Sequence, residues 1–167
     1  MKKCKLLITD LDGTLIETVS GKKFPQGIWD MRLKLDVLNA IKKMNPERIF
    51  IVSNQGGIEL GFVNEDLFET KLRYVSHAIF DYTKIPVHGE YCASNNKDNE
   101  CRKPNPGMIH KLMMYYEIDD EPTHDEILMI GDASGKEGQF SDSDKKTAEN
   151  FGCEYMDVDD FVYKYKG

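Results

Sequence analysis

The sequence predicts a three-layer α/β protein in which helices cover both faces of a doubly wound parallel sheet. Short, continuous apolar runs alternate with longer segments whose apolar residues recur with helical spacing. The order strand, helix, strand, helix is typical of such a sheet, because parallel neighbours are joined by helical crossovers. The length of 167 residues favours a single domain over residues 1–167, with a substantial hydrophobic core.

The predicted strands are short and almost wholly apolar. Residues 5–9, 48–52 and 127–130 are the strongest candidates, because each contains a continuous apolar run of strand length. Residues 87–92 and 153–156 are weaker candidates. Runs without polar alternation indicate strands that are buried on both faces.

The segments between the strands carry helical patterns. Residues 31–44 space their apolar side chains as one helix, and residues 64–82 begin with Asn64, a favoured N-cap residue. Pro106 stands where the first turn of another helix is expected. The aromatic tail at 161–165 is predicted to be a terminal helix that packs on the sheet, with a dimer contact as the alternative.

Composition favours a soluble globular protein, since 40% of the residues are hydrophobic and 31% are charged. No apolar stretch approaches the roughly 20 residues of a membrane span, and no signal-peptide pattern is present. We therefore expect a cytoplasmic protein without a membrane partner. In that compartment the four cysteines are expected to be free thiols: Cys4, Cys92, Cys101 and Cys153.

The net charge of −7 argues only weakly against a nucleic-acid partner. Lysine pairs leave room for a local basic surface within the acidic total, at 2–3, 22–23, 42–43 and 145–146. The charge therefore leaves both a nucleic-acid partner and a small-molecule partner open.

Reactive polar residues follow the predicted strands. Asp10 and Asp12 follow the first strand, Ser53 the second and Asp132 the fourth. Because ligands of open α/β sheets bind beyond the carboxyl ends of the strands, we expect these side chains to lie together. Paired carboxylates can hold a hard cation, transfer protons or act as a nucleophile. The alternative for Asp12, which precedes Gly13, is a turn residue.

Three further motifs have both a chemical and a structural interpretation. The glycine-rich stretch after Ser53 presents N–H groups to phosphate oxygens, or is a polar loop. Lys103 offsets the charge of the carboxylates and a phosphate, or lies on the surface. Asp144, at the end of a polar loop at 135–144, joins Asp132 as a metal ligand, or favours the dipole at a helix start.

The order of these motifs resembles the haloacid-dehalogenase superfamily of aspartate-nucleophile phosphatases, over nearly the whole chain. Its D-x-D-G-T pattern falls on residues 10–14, and its Ser, Lys and acidic motifs fall on Ser53, Lys103 and Asp132. The resemblance implies a Rossmann-like fold and a phosphatase that acts on phosphate monoesters.

The same resemblance implies a role for each motif residue. Asp10 would be the nucleophile and Asp12 the general acid and then the base. Ser53 would bind the transferring phosphoryl group, and Lys103 would stabilise it. Mg²⁺ is the implied cofactor, and its implied ligands are Asp10, Asp12 through its backbone carbonyl, Asp132 and Asp144.

Within the superfamily, the chain looks most like polynucleotide kinase 3′-phosphatase domains. They carry a similar T-L-I-x-T-x-S-G-K-x-F-P stretch, here residues 14–25. They also tolerate a long insertion between the two aspartates of the acidic motif, which here are Asp132 and Asp144, twelve positions apart. The likeness implies a DNA 3′ end as the phosphorylated substrate and a role in DNA repair. The implied substrate-binding residues are Thr14, Asn54, Lys22, Lys23 and Arg102, and the basic ones among them are otherwise solvated surface residues.

The chain is also similar to histidinol-phosphate and heptose-bisphosphate phosphatases, through residues 53–58 and 101–108. Small phosphorylated metabolites are therefore the alternative substrates. Those relatives often bind zinc through a Cys/His loop, whereas this chain offers only Cys92 and Cys101, with His88 as a third ligand. Structural zinc normally has four ligands, which argues against zinc here.

No large cap domain is expected, because core elements account for the segments before Ser53 and before Lys103. A capless cleft is open and admits a DNA end, although it also admits a small metabolite. A non-catalytic binding module is the remaining alternative. The presence of Asp10, Asp12 and Asp132 together with Lys103 argues against that alternative.

Overall fold

The computed structural model describes residues 2–116 and 120–167. A five-stranded parallel sheet forms its centre and a two-stranded hairpin lies beside it. The predicted α/β fold class is confirmed, and both weaker strand candidates are strands. The strands are β1 (Leu6–Thr9), β2 (Ile16–Glu17), β3 (Arg32–Leu33), β4 (Arg48–Asn54), β5 (Val87–Cys92), β6 (Ile127–Gly131) and β7 (Glu154–Asp157).

The strand order of the large sheet is β5-β4-β1-β6-β7, so β1 is central. The chain builds one side of the sheet with β4 and β5, and then returns to the other side of β1 with β6 and β7. This reversal places the carboxyl ends of β1 and β6 side by side, with Thr9 in register with Ile130. Ligands bind at such a reversal, and Asp10 and Asp132 are the residues that directly follow these two strands.

Helices cover both faces of the sheet. Side chains of α1, α2 and α5 pack with Leu7 of β1 in one core cluster, whereas α3 and α4 pack with Leu6 and Ile8 in the other. Each face is therefore buried, which accounts for the uninterrupted apolar strands. The helices are α1 (Leu35–Met44), α2 (Glu65–Thr83), α3 (Gly107–Tyr115), α4 (Ser143–Phe151) and α5 (Val158–Lys164).

The first helix begins later than its apolar spacing predicts. Arg32 and Leu33 form β3 instead, which pairs antiparallel with β2 so that Leu33 lies opposite Ile16. Helix α1 then starts at Leu35. The prediction of a helix from residue 31 was wrong because a two-residue strand followed by a helix has the same spacing of apolar residues. We call residues 16–33, the hairpin with its connecting loop, the flap.

Other boundaries agree with the expected signals. Asn64 caps α2 by accepting a hydrogen bond from the backbone of Leu67 at 3.0 Å. Pro106 immediately precedes α3. The aromatic tail forms α5, and Phe161 is buried in the core, so the predicted packing on the sheet is confirmed. None of the described helices is both long enough and apolar enough to cross a bilayer.

The cysteines differ from the prediction of four free thiols. Cys4 and Cys153 are free, but Cys92 and Cys101 form a disulfide. The prediction was wrong for this pair because the intervening loop turns back on itself and brings the two Cα atoms to 5.5 Å. Nothing in the spacing of the two residues along the chain reveals that turn.

Candidate active site

Three aspartates and one lysine meet at the carboxyl edge of the sheet. Carboxylate oxygens of Asp10, Asp132 and Asp144 lie within 4.8 Å of one another. The Nζ of Lys103 lies 2.9 Å from Oδ1 of Asp10 and 2.7 Å from Oδ1 of Asp144. We call these four residues the acidic group. Within residues 2–116 and 120–167, its aspartates are the only set of three side chains placed to hold a metal ion.

Four different elements deliver these side chains. Asp10 follows the central strand β1 and Asp132 follows its neighbour β6. Asp144 lies in the first turn of α4, and Lys103 lies in the segment before α3. The structure thus brings together four of the residues singled out in the sequence, although 134 positions separate the first from the last.

Two glycines make this close approach possible. Gly13 has a φ of +81°, which favours glycine, and a Cβ at this position would collide with the carboxylate of Asp132. A Cβ on Gly131 would collide with the carboxylate of Asp144. Any larger residue at either position would therefore push a carboxylate out of the acidic group.

Asp10, Asp144 and Lys103 of the acidic group are buried and Asp132 is half-buried, and the group has three carboxyls for one ammonium. Burial raises the pKa of Asp10 well above its ordinary value; Lys103 opposes this, while Asp144 and Asp132 add to it. Burial likewise raises the pKa of Asp132. Burial alone would lower the pKa of Lys103, but the carboxylates of Asp10 and Asp144 outweigh it and raise that pKa. Protonated Lys103 therefore offsets one carboxylate, and the raised pKa values of Asp10 and Asp132 show that ionising further carboxyls in this site is costly.

Two residues expected at the substrate contact members of the acidic group. Asn54, at the end of β4, donates to the backbone oxygen of Lys103 at 3.1 Å and accepts from its backbone nitrogen at 2.9 Å. Thr14 is fully buried, and its hydroxyl donates to Oδ2 of Asp10 at 3.4 Å. Asn54 thus fixes the backbone of Lys103, and Thr14 contacts the carboxylate of Asp10.

The carboxylate of Asp12 lies outside the acidic group and faces a different set of partners. Gln55 donates to Oδ2 of Asp12 at 2.8 Å and to the hydroxyl of Ser53 at 2.8 Å. Oδ1 of Asp12 lies 3.6 Å from Nζ of Lys71. Gln55 therefore couples the D-x-D-G-T motif after β1 to the serine at the end of β4.

The basic residues expected at the substrate occupy two places. Lys22 and Lys23 lie on the flap and line a cleft beside Asp12. Arg102 is half-buried and is not part of that lining, and its guanidinium donates to the backbone oxygen of Ser94 at 3.0 Å.

Sequence reasoning missed Gln55 and Lys71. For Gln55 the sequence carries no signal beyond its place in a polar loop. Lys71 does carry one, because it lies three residues after Phe68 and four before Val75, on the buried face of α2. A lysine on the apolar face of an amphipathic helix is unusual unless its ammonium has a specific role.

The cysteine region forms no metal site in this structure. Cys92 and Cys101 are bonded to each other. The third candidate ligand, His88, lies with Nε2 3.0 Å from a guanidinium nitrogen of Arg48 and stacks on Tyr116 with ring centroids 3.6 Å apart.

Comparison with known proteins points to one family. A model of the family described as polynucleotide kinase 3 phosphatase matches residues 5–162. The bifunctional polynucleotide phosphatase/kinase of Schizosaccharomyces pombe is 32% identical over 166 residues, which cover 96% of this chain and 38% of that protein. The D-glycero-beta-D-manno-heptose-1,7-bisphosphate 7-phosphatase of Haemophilus influenzae is 28% identical over 141 residues, covering 77% of this chain and 71% of that one.

A solved structure shares the fold. The D,D-heptose 1,7-bisphosphate phosphatase from B. bronchiseptica, in complex with magnesium and phosphate, superimposes with a TM-score of 0.67 at 20% identity. The match covers 90% of this chain and 78% of that one. At this level of identity the likeness concerns the fold.

Proposed function

The chain belongs to the polynucleotide kinase 3 phosphatase family, which consists of haloacid-dehalogenase-type phosphatases, and we propose that it removes phosphate from the 3′ ends of DNA. One observation carries the proposal: the acidic group lies next to a cleft lined by the flap lysines Lys22 and Lys23. The acidic group suits phosphoryl transfer, and the lysines suit a polyanionic substrate.

In the proposed reaction, the carboxylate of Asp10 attacks the phosphorus atom and the 3′-oxygen of the sugar leaves. The contact of Lys103 with Oδ1 of Asp10 supports this assignment, because a fixed ammonium aligns the nucleophile and offsets the charge of the incoming phosphate. The product of the first step is an aspartyl-phosphate on Asp10. Ser53, whose hydroxyl lies at the end of β4, would bind the transferring phosphoryl group.

Asp12 would serve as the general acid and then as the general base. It would protonate the leaving 3′-oxygen and later take a proton from the water that hydrolyses the aspartyl-phosphate. Its position supports this role, since Asp12 is outside the aspartate cluster, lines the cleft and accepts a hydrogen bond from Gln55 that orients its carboxylate. Asp10 and Asp12 would thus divide nucleophilic and proton-transfer work between two carboxylates.

The acidic group fits Mg²⁺ by its chemistry. Its potential ligands are all carboxylate oxygens, which hard cations prefer. Three carboxyls, two of them buried, lie beside one lysine, so ionising all three leaves a negative charge that a divalent cation would neutralise. We propose that Asp10, Asp132 and the backbone carbonyl of Asp12 hold the ion, and that Asp144 completes the set while orienting Lys103. When bound, the ion would supply charge neutralisation for the phosphoryl group.

A small phosphorylated metabolite is the second candidate substrate. The heptose-bisphosphate phosphatase of Haemophilus influenzae, at 28% identity, supports it. We rank the DNA end first because the family model covers nearly the whole chain and because the flap carries two exposed lysines. The proposal includes a cytoplasmic location and a role in DNA repair.

The decisive comparison uses four substrates with and without Mg²⁺. Phosphate release is measured from a 3′-phosphorylated oligonucleotide, the same oligonucleotide phosphorylated at its 5′ end, histidinol phosphate and heptose 1,7-bisphosphate. The proposal predicts Mg²⁺-dependent release that is fastest from the 3′-phosphorylated strand. Faster release from either metabolite would replace the DNA end with that metabolite as the substrate.

A further inference from the structure

A cleft of about 180 Å³ opens between the flap and helix α2. Asp12 and Gly13 line it, whereas none of the four residues of the acidic group does. If Asp12 protonates the leaving oxygen, this flap cleft lies on the side of the leaving group. Its volume is below the roughly 300–1,000 Å³ of pockets that enclose whole small ligands, so it suits one group of a larger substrate.

The flap cleft contains a buried lysine without a full partner. Lys71 is 3% exposed and lines the cleft. Its Nζ lies 3.6 Å from Oδ1 of Asp12, which is longer than a hydrogen bond. Among the described residues, no other carboxylate lies within the 4.0 Å of an ion pair with Lys71. The side chain of Lys71 is thus mostly buried, while its ammonium has one carboxylate nearby, beyond hydrogen-bond distance, and lines an open cleft. Such an ammonium favours an anionic ligand in the cleft.

The other acidic residues that line the cleft are already engaged. Glu17 is paired with Arg32 at 3.0 Å. Asp30 accepts hydrogen bonds from Ser20 and from the backbone of Gln26. These bonds lower the pKa of Asp30 to about 2, and the bond from the Ser20 hydroxyl has the largest effect. These carboxylates are therefore turned to partners within the flap and do not neutralise Lys71.

The flap lysines, in contrast, contact neutral groups. The ammonium of Lys22 donates to the side-chain oxygen of Gln26 at 3.0 Å. The ammonium of Lys23 lies over the rings of Phe24 and Phe140, at 5.6 and 5.2 Å from their centroids. The charge that the cleft offers to a ligand is therefore positive, with Lys71 at its wall and two lysines on the flap.

We propose that the flap cleft binds a second phosphate of the substrate, and that Lys71 is its main contact. The proposal rests on the 3′-phosphatase function: the nucleotide at a DNA 3′ end carries a phosphodiester on its 5′ side, next to the phosphate that is removed. A second phosphate on a sugar offers the same chemistry. The inference makes a nucleoside 3′,5′-bisphosphate the smallest efficient substrate.

The test compares two substrates with the same leaving group. Thymidine 3′-monophosphate and thymidine 3′,5′-bisphosphate differ only in the 5′-phosphate, and kcat/KM is measured for the 3′-phosphate of each. We expect the wild-type enzyme to prefer the bisphosphate by about tenfold to a hundredfold, the range for a hydrogen-bonded charged contact. Lys71→Met should reduce this preference to near one, Lys71→Arg should keep most of it, and Lys43→Met, at an exposed site on α1, should leave it unchanged.

The ratio of kcat/KM for the bisphosphate to kcat/KM for the monophosphate distinguishes binding of a second phosphate from an effect through Asp12. If Lys71 only orients Asp12, Lys71→Met slows both substrates equally and the unchanged preference overturns the proposal. A wild-type enzyme without preference also overturns it. Should Lys71→Met fail to fold, inhibition of the wild-type enzyme decides: thymidine 5′-monophosphate must inhibit at least about tenfold more strongly than thymidine, and equal inhibition refutes the site.

The controls also separate this inference from the proposed function. Hydrolysis of p-nitrophenyl phosphate without hydrolysis of either thymidine compound would refute the DNA function alone. The same preference is then measured with a sugar bisphosphate and the matching monophosphate, in the wild type and in Lys71→Met. Loss of the preference in the variant supports the second-phosphate site, and an unchanged preference overturns it.

Discussion

The acidic group and the flap both border Asp12, but different forces hold them. The acidic group lies at the ends of β1 and β6, with Asp10, Asp144 and Lys103 buried, and Lys103 bridges the two buried carboxylates. The flap is largely exposed and its strands have two residues each. Its loop depends on hydrogen bonds to Asp30 and on the edge contact of Trp29 with Tyr74 of α2, with ring centroids 5.6 Å apart.

This difference suggests a division of work within the site. The acidic group is built on the central strands, so its geometry is as stable as the sheet. The flap is a polar loop whose conformation can change without disturbing the core. We therefore expect substitutions in the acidic group to abolish the chemical step with every substrate. Substitutions in the flap are expected to affect only substrates that extend beyond the phosphate.

The largest effect is expected for Asp10→Asn. Loss of the nucleophile should lower kcat by at least about a thousandfold on both the 3′-phosphorylated oligonucleotide and p-nitrophenyl phosphate. The metal-free variant should be at least as stable as the wild type, because the change removes a buried carboxyl from a group of three. Thermal unfolding measures the stability. Asp81→Asn, at an exposed site on α2, is the matched control, and comparable loss in both variants would contradict the assignment.

The next effect concerns Mg²⁺ and pH. The folded-state pKa values of Asp10 and Asp132 are raised, so the metal-free protein loses stability as pH rises from about 4 through those values. Binding of Mg²⁺ needs the ionised carboxylates and should stabilise the protein more at pH 8 than at pH 5. At about a hundredfold excess over Kd, the expected gain of about 2.7 kcal/mol corresponds to a rise in Tm of about 5–10 °C.

Thermal unfolding with and without Mg²⁺ at both pH values measures this difference. Asp132→Ala should remove most of the shift. A shift of equal size at pH 5 and pH 8, or one that persists in Asp132→Ala, would show that the ion binds elsewhere.

A smaller effect is expected for Asp30→Ala in the flap. The change removes three hydrogen bonds from Ser20 and Gln26, so kcat/KM for the oligonucleotide should fall about tenfold. Hydrolysis of p-nitrophenyl phosphate should change less than about twofold. Because the folded-state pKa of Asp30 is lowered to about 2, these bonds are complete above about pH 4 and are lost only as pH falls towards 2. An equal fall for both substrates would tie the flap to the chemical step.

The smallest effect is expected for the paired change Lys22→Gln and Lys23→Gln. Each lysine that meets a phosphate of a single strand contributes about 0.7 to the slope of log affinity against log salt. The slope measured with the oligonucleotide should therefore become shallower by about 1.4 in the double variant. The same change at Lys42 and Lys43, on α1, should leave the slope as it is. A flat salt response of the wild type would favour a small metabolite.

The sheet and most of the acidic group could be predicted because their signals are local. Asp10 directly follows the first strand, which ends at Thr9. Asp132 likewise follows the apolar run that ends at Ile130, with Gly131 between them. A parallel sheet with a central reversal then brings such positions together. Lys103 needed the family resemblance in addition, since nothing local separates it from a surface lysine.

The flap strands, the contact of Lys71 and the disulfide were not predictable because each depends on where distant segments meet. The strands that pair Ile16 with Leu33 have two residues each, which is too short for an alternation of apolar and polar residues to be visible in the sequence. Lys71 is noticeable as a lysine on an apolar helix face, but its partner Asp12 is known only from the fold. The bond between Cys92 and Cys101 depends on the path of a loop.

The covalent intermediate on Asp10 can be sought directly. A 3′-phosphorylated oligonucleotide with radiolabelled phosphate is mixed with the Mg²⁺-loaded wild type and with Asp12→Asn, the mixture is quenched with acid, and the labelled peptides are mapped. We predict label on the peptide that contains Asp10 in the wild type, much less of it in Asp12→Asn because that variant also lacks the acid that protonates the leaving 3′-oxygen, and none in Asp10→Asn. Turnover without label at Asp10, or label at another residue, would contradict nucleophilic attack by this aspartate.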